Sequence, residues 1–118
     1  MKKTKGQIEA EISSAITRFE KEYLGRGPKE ANTFIIRDMI LIRLKGVLIP
    51  AEQKLVESNE GAQLIKQVRR RLIESSRSLL EEVINDIVGV KITSLHTDIS
   101  SRTGDRVFVF CFDENIEK

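Results

Sequence analysis

The chain has one cysteine, one histidine, two prolines and no tryptophan in 118 residues. A lone Cys111 excludes an internal disulfide, and it fits a reducing compartment. With only Cys111 and His96 available, a zinc site of at least three Cys/His ligands is also excluded. Tyr23 and five phenylalanines supply all the aromatic area, so the core has to be aliphatic. No apolar run approaches the roughly 18 residues that mark a membrane-spanning helix. The basic start, Met1-Lys2-Lys3-Thr4-Lys5, is not followed by the apolar stretch of a secretory leader. A cytoplasmic location is the expectation. Excess charge of one sign is missing too. Twenty basic and eighteen acidic side chains leave a net +2, which does not by itself imply a nucleic-acid partner.

What the chain has is a long apolar period. From Glu60 to Gly89, Leu64, Ile65, Val68, Leu72, Ile73, Leu79, Leu80, Val83, Ile84, Ile87 and Val88 recur at three- and four-residue steps. That is the stripe of one amphipathic helix. Such a helix is about 40 Å long, whereas strands of six to eight residues span only about 20–27 Å. The rod therefore outruns any sheet it covers, and its surplus apolar surface predicts a homodimer.

The rest of residues 1–118 reads as one domain around that rod. Thr4-Lys5-Gly6-Gln7 has the form of a capping box, and the spacing predicts a helix over Thr4 to Leu24 closed by Gly25. Its apolar face is Ile8, Ile12, Ala15, Ile16, Phe19 and Tyr23. Thr33–Ile36 and Met39–Leu44 are β-branched and apolar around Arg37-Asp38, which predicts a hairpin, with one bent strand as the alternative. Ile40, Ile42 and Leu44 face the helices in either case, and Met39, Leu41, Arg43 and Lys45 the other side. Pro50 suits a helix start, although Ile49 is a poor cap. Ser58 to Gly61 predicts a kink or a second helix start. Val90 to Ile99 predicts a strand whose alternation slips near Ser94, which a bulge or an early bend would explain. Val107 to Phe112 is apolar on both faces, which fits a central strand covered on both sides or a strand with one face in a subunit interface. The polar tail from Asp113 is expected to fray. Together these elements give a two-layer α+β domain: an antiparallel sheet of about four strands, two main helices on one face, order αββαββ.

Candidate chemistry is sparse. Gly25-Arg26-Gly27 can offer backbone amides and a guanidinium to an anion, or simply stop a helix and turn the chain. It lacks the Gly-Lys-Ser/Thr of a P-loop. Arg69, Arg70, Arg71 and Arg77 form either an anion or acidic-partner patch or a solvated face paired with Glu60, Glu74 and Glu81. Val68 and Leu72 on the buried side would leave Arg69 and Arg71 flanking the stripe. His96 and Cys111 meet only if the last two strands pair, and nothing nearby signals an activated thiol. Cys111 is expected to pack as a small buried hydrophobe. Asp98 and Asp105 lack the spacing of a cation loop. No catalytic residue, metal ligand or cofactor is predicted.

The order of these segments resembles the MpsC-like family. The residues that carry the likeness are Gly25-Arg26-Gly27-Pro28, the run from Asp38 to Glu52, the arginine-bearing helix and the final Val-Phe-Val-Phe strand. Ile49 departs from the threonine usual in that family. The resemblance implies association with membrane components that move sodium ions or take up inorganic carbon. A chain without a membrane span would then be a soluble accessory or regulatory partner. That is the leading functional expectation, with homodimerisation and small-anion binding attached. The alternative is a nucleic-acid-binding regulator using the basic face of the long helix. A small enzyme built on His96 and Cys111 is a distant third.

Overall fold

A computed structural model describes residues 3–117. Its elements are α1 (Lys5–Leu24), β1 (Glu30–Ile36), β2 (Met39–Lys45), α2 (Pro50–Leu55), α3 (Asn59–Val88), β3 (Ile92–Ile99) and β4 (Arg106–Phe112). The four strands form one antiparallel sheet in the order β1-β2-β4-β3. The expected α+β fold and helix–strand order are therefore present, and the chain from Pro50 to Val88 is two helices rather than one.

Local chemistry sets each boundary. Thr4 and Gln7 form the reciprocal capping box of α1, and Gly25 closes that helix at φ 90°. Ile49 has no side-chain acceptor, so only the reverse half of a box exists at α2, where Glu52 Oε1 accepts the Ile49 N–H at 3.0 Å. Ser58 caps α3 by accepting from the Gly61 N–H at 3.0 Å. Gly61 lies against the end of α2: a Cβ there would stand 1.9 Å from the Leu55 carbonyl oxygen. Arg37 and Asp38 are the two-residue hairpin turn, and Arg37 adopts φ 56°, an uncommon conformation for a side chain of its size. The β3–β4 register shifts between Ile92 and Ser94, at the expected bulge.

One expectation fails at the tail. Residues 113–117 are pinned rather than frayed. Ile116 and Glu117 donate their N–H groups to the Arg37 carbonyl at 2.8 and 3.1 Å. The Glu117 carboxylate accepts the Arg37 N–H at 3.0 Å and pairs with Lys5 at 2.6 Å. The strained turn supplies unpaired backbone groups, and the tail satisfies them.

The core lies between the sheet and the helices. Ile40, Ile42 and Leu44 of β2 and Phe108, Phe110 and Phe112 of β4 meet Ile12, Ile16 and Phe19 of α1 and Ile65, Ile73, Leu80 and Ile84 of α3. Tyr23 leaves this face and is exposed, although its ring stays 5.2 Å from that of Phe19. α1 also guards the β1 edge: Glu9 accepts the Ile35 N–H at 2.8 Å, and the Ser13 and Thr33 hydroxyls are 2.7 Å apart. The opposite face of the sheet has no helix over it and exposes Phe34, Ile36, Met39 and Val107. The molecule measures 49 × 24 × 22 Å, its length matching the roughly 45 Å of a 30-residue helix. The rod does outrun strands of seven or eight residues.

Gly61→Ala forces α2 and α3 apart. Overpacking of this kind costs about 1–3 kcal/mol, more than the roughly 1 kcal/mol that alanine restores in helix propensity. Urea unfolding of the variant is expected to show a lower midpoint than the parent. An unchanged or higher midpoint would show that the α2–α3 junction yields without cost.

Candidate functional site

Three charged residues occupy the core phase of their elements. Glu20 follows Ile16 by four on α1, Arg69 lies midway between Ile65 and Ile73 on α3, and Arg106 shares the parity of Phe108 and Phe110 on β4. All three are buried, at 0%, 3% and 2% exposure. Arg69 was expected to flank the stripe. Instead it occupies the centre of the buried face, and Val68 and Leu72 are exposed. The reason is its partners. Its Nε and Nη2 fork onto both oxygens of Glu52, with Nε–Oε2 at 3.0 Å, and Nη2 also donates to the Val47 carbonyl at 3.0 Å. Burial would lift the Glu52 carboxyl, but the Arg69 hydrogen bonds and the Ile49 N–H outweigh it and hold the pKa below the usual range.

Glu20 is in a different situation. Neither of its oxygens has a hydrogen-bond partner among the described residues. Burial raises its pKa to about 7, against the pull of Arg106 and Arg69. Arg106 is half-satisfied: Nη1 donates to Thr97 Oγ1 at 2.8 Å, the guanidinium lies 5.5 Å from the Phe108 ring centre, and Nε is buried without an acceptor among the described residues. Burial lowers its pKa, and the charge of Glu20 opposes that shift.

Beside this ionic core, α3 and the outer edge of β3 enclose a cleft of about 290 Å³. Lys66, Arg70 and Arg77 line it from the helix and His96, Thr97 and Asp98 from the strand, with Arg106 between them. Arg77 bridges the mouth, donating from Nη2 to the Leu95 carbonyl at 3.1 Å and pairing with Glu81 at 3.4 Å. Lys66 stands 3.8 Å from Asp98.

The arginines singled out by sequence thus separate. Arg70 and Arg77 share the cleft, Arg69 is internal, and Arg71 is exposed and does not line the cleft. Arg26 donates to the Gly46 carbonyl at 3.3 Å, while Gly27 packs against Thr17 and Lys21 of α1. Gly25 stops α1, and Arg26 ties the turn that follows to the residue after β2. Cys111 is only half-buried, because its parity places it on the helix-free face. Register sets it opposite Ser94 and sets His96 opposite Val109; the exposed His96 ring bonds to Ser94 at 3.2 Å. No group of three or more metal-ligating side chains occurs among the described residues. Glu20 and Arg106, missed as site residues, carried a signal: a charge standing where its element's period requires an apolar side chain.

The two carboxyls act in opposite pH windows. Glu20 has a raised folded pKa, so its contribution is complete below 4.5 and is lost as pH rises through about 7. Glu52 has a depressed one, so its contribution is present above 4.5 and is lost only as pH falls through its folded value. Between pH 5 and 8 the unfolding free energy is expected to fall by about 3 kcal/mol on account of Glu20, and Glu20→Gln is expected to remove that slope. Parallel denaturation curves for the two proteins would show that Glu20 titrates normally.

Comparison with known proteins places these features in a family. The chain is 52% identical over 118 residues to a Bacillus subtilis (strain 168) protein called "Uncharacterized protein YbcI", covering 100% of this chain and 95% of the relative. It is 29% identical over 109 residues to "Uncharacterized protein YrhF" of the same organism, covering 92% and 89%. No solved structure matches it. The family model described as "Na+-translocating membrane potential-generating system (MpsC)" matches residues 4–114, from the α1 cap past the end of β4, and the chain belongs to the MpsC family.

Proposed function

We propose that this chain is a non-enzymatic accessory or regulatory protein of a membrane ion or inorganic-carbon transport system, working as a homodimer through protein contacts. The family description supports the link to a sodium-translocating, membrane-potential-generating system. Among the described residues no helix is long and apolar enough to cross a membrane, so a role beside the membrane components suits the chain.

The observation that carries the reading is the exposed side of α3. Leu64, Val68 and Leu72 are 51%, 44% and 37% exposed and follow one another at four-residue steps. Leu55 of α2 is exposed as well. A straight stripe of this kind is self-complementary about a two-fold axis at Val68, where Leu64 of one copy meets Leu72 of the other. Arg71 and Glu60 border it as a polar rim of the sort that surrounds interface cores. The helix-free sheet face, with Phe34, Ile36 and Met39, is then left for the transport components.

Light scattering on the purified protein is expected to give the mass of two chains. Val68→Glu places a charge at the centre of the stripe and is expected to weaken dimerisation at least ~100-fold, about 3 kcal/mol, with unchanged helix content by circular dichroism. A parent protein that stays a single chain at micromolar concentration overturns the reading.

A further inference from the structure

We propose that the cleft between α3 and β3 binds a small phosphate-type oxyanion, either the free ion or a small phosphomonoester. Three observations converge there. The first is charge: Lys66, Arg70, Arg77 and Arg106 face two carboxylates, Glu74 and Asp98. Asp98 pairs with Lys66 at 3.8 Å and also accepts the Ile99 N–H at 2.8 Å, and Arg77 pairs with Glu81 at 3.4 Å. Arg70 makes no ion pair among the described residues.

The second is an orphan donor. Arg106 lines the cleft, is 2% exposed, and holds a buried Nε–H with no acceptor among the described residues. A buried donor left unmade is costly, so an acceptor that reaches Arg106 from the cleft relieves a standing penalty as well as adding a charge-assisted bond. Arg77 is already oriented by the Leu95 carbonyl, which lowers the entropy lost when it grips a ligand. The third is size. About 290 Å³ lies at the bottom of the range for small-molecule sites. An oxyanion or a short ester fits that volume, and a nucleic-acid duplex does not.

This site goes beyond the accessory reading and is separate from the dimer stripe, which occupies another side of α3. Calorimetric titration with inorganic phosphate and with glycerol 3-phosphate, in low chloride, tests it on four proteins: the parent, R70A, R77A and R71A. Arg70 and Arg77 lie outside the core, and circular dichroism checks that the variants keep the fold. The parent is expected to bind at least one of the two ligands, and R70A and R77A to weaken it 10-fold or more. R71A, outside the cleft, is expected to bind as the parent does. Phosphate binding assigns the free ion, and binding of the ester alone assigns a phosphomonoester. No binding of either ligand by the parent, or equal loss in R71A and R70A, overturns the site. V68E distinguishes the two proposals, because a monomeric V68E that still binds phosphate leaves the cleft standing without the dimer.

Discussion

The guanidinium of Arg69 sets how α3 is rolled against the rest of the molecule. A charge of this kind is expensive to bury unless its geometry is satisfied, and removing one partner of such a pair typically costs 3–5 kcal/mol. Glu52 and the Val47 carbonyl satisfy it from α2 and from the loop that follows β2. With Arg69 fixed inward, Ile65 and Ile73 on either side are drawn into the core. Leu64, Val68 and Leu72 are turned out, and Lys66, Arg70 and Arg77 come to face the β3 edge. The exposed apolar stripe and the basic cleft therefore have a single cause.

That is also where the sequence was hardest to read. The length of α3, its Gly89 stop, the Ser58 restart, the hairpin at Arg37-Asp38 and the β3 bulge were all legible, because each rests on a local signal of capping, turn chemistry or alternation. The face of β2 that carries Ile40 was legible for the same reason. The roll of α3 was not. Its apolar residues cover a sector wider than one protomer buries, so periodicity gives a sector and not a direction. The direction comes from Arg69 and Glu52, seventeen residues apart in the chain. The pinned tail was illegible for a similar reason, since nothing local says that Glu117 meets Lys5 and Arg37. Of the candidate site, Arg70 and Arg77 were in view, but Arg106 was hidden in a strand judged by its phenylalanines.

The ionic interior has two parts with different characters. Arg69 and Glu52 are mutually satisfied and behave as a rivet between α2 and α3. Glu20 and Arg106 are attracted without a hydrogen bond between them, so each keeps unmet capacity. A satisfied buried pair rigidifies a core, whereas an unsatisfied one marks where the structure can still gain by taking up a proton or an ion. Arg106 stands at the boundary between this interior and the cleft, facing Glu20 on one side and the β3 edge on the other.

The place of β4 has a consequence for how the molecule comes into being. β4 is one of the two inner strands of the sheet and the last of the four to be made, pairing Cys111 with Met39 and Phe112 with Ile92. At translation speeds of about 5–20 residues per second, β2 waits several seconds for that neighbour. Until it arrives, β3 has no strand beside it, and the apolar faces of both long helices lack the phenylalanines that cover them. The nascent chain is therefore at its stickiest just before β4 emerges, and a product cut short at the Ser100–Asp105 turn lacks the strand that closes the core. Such a fragment is a natural client for chaperones and a natural seed for aggregation.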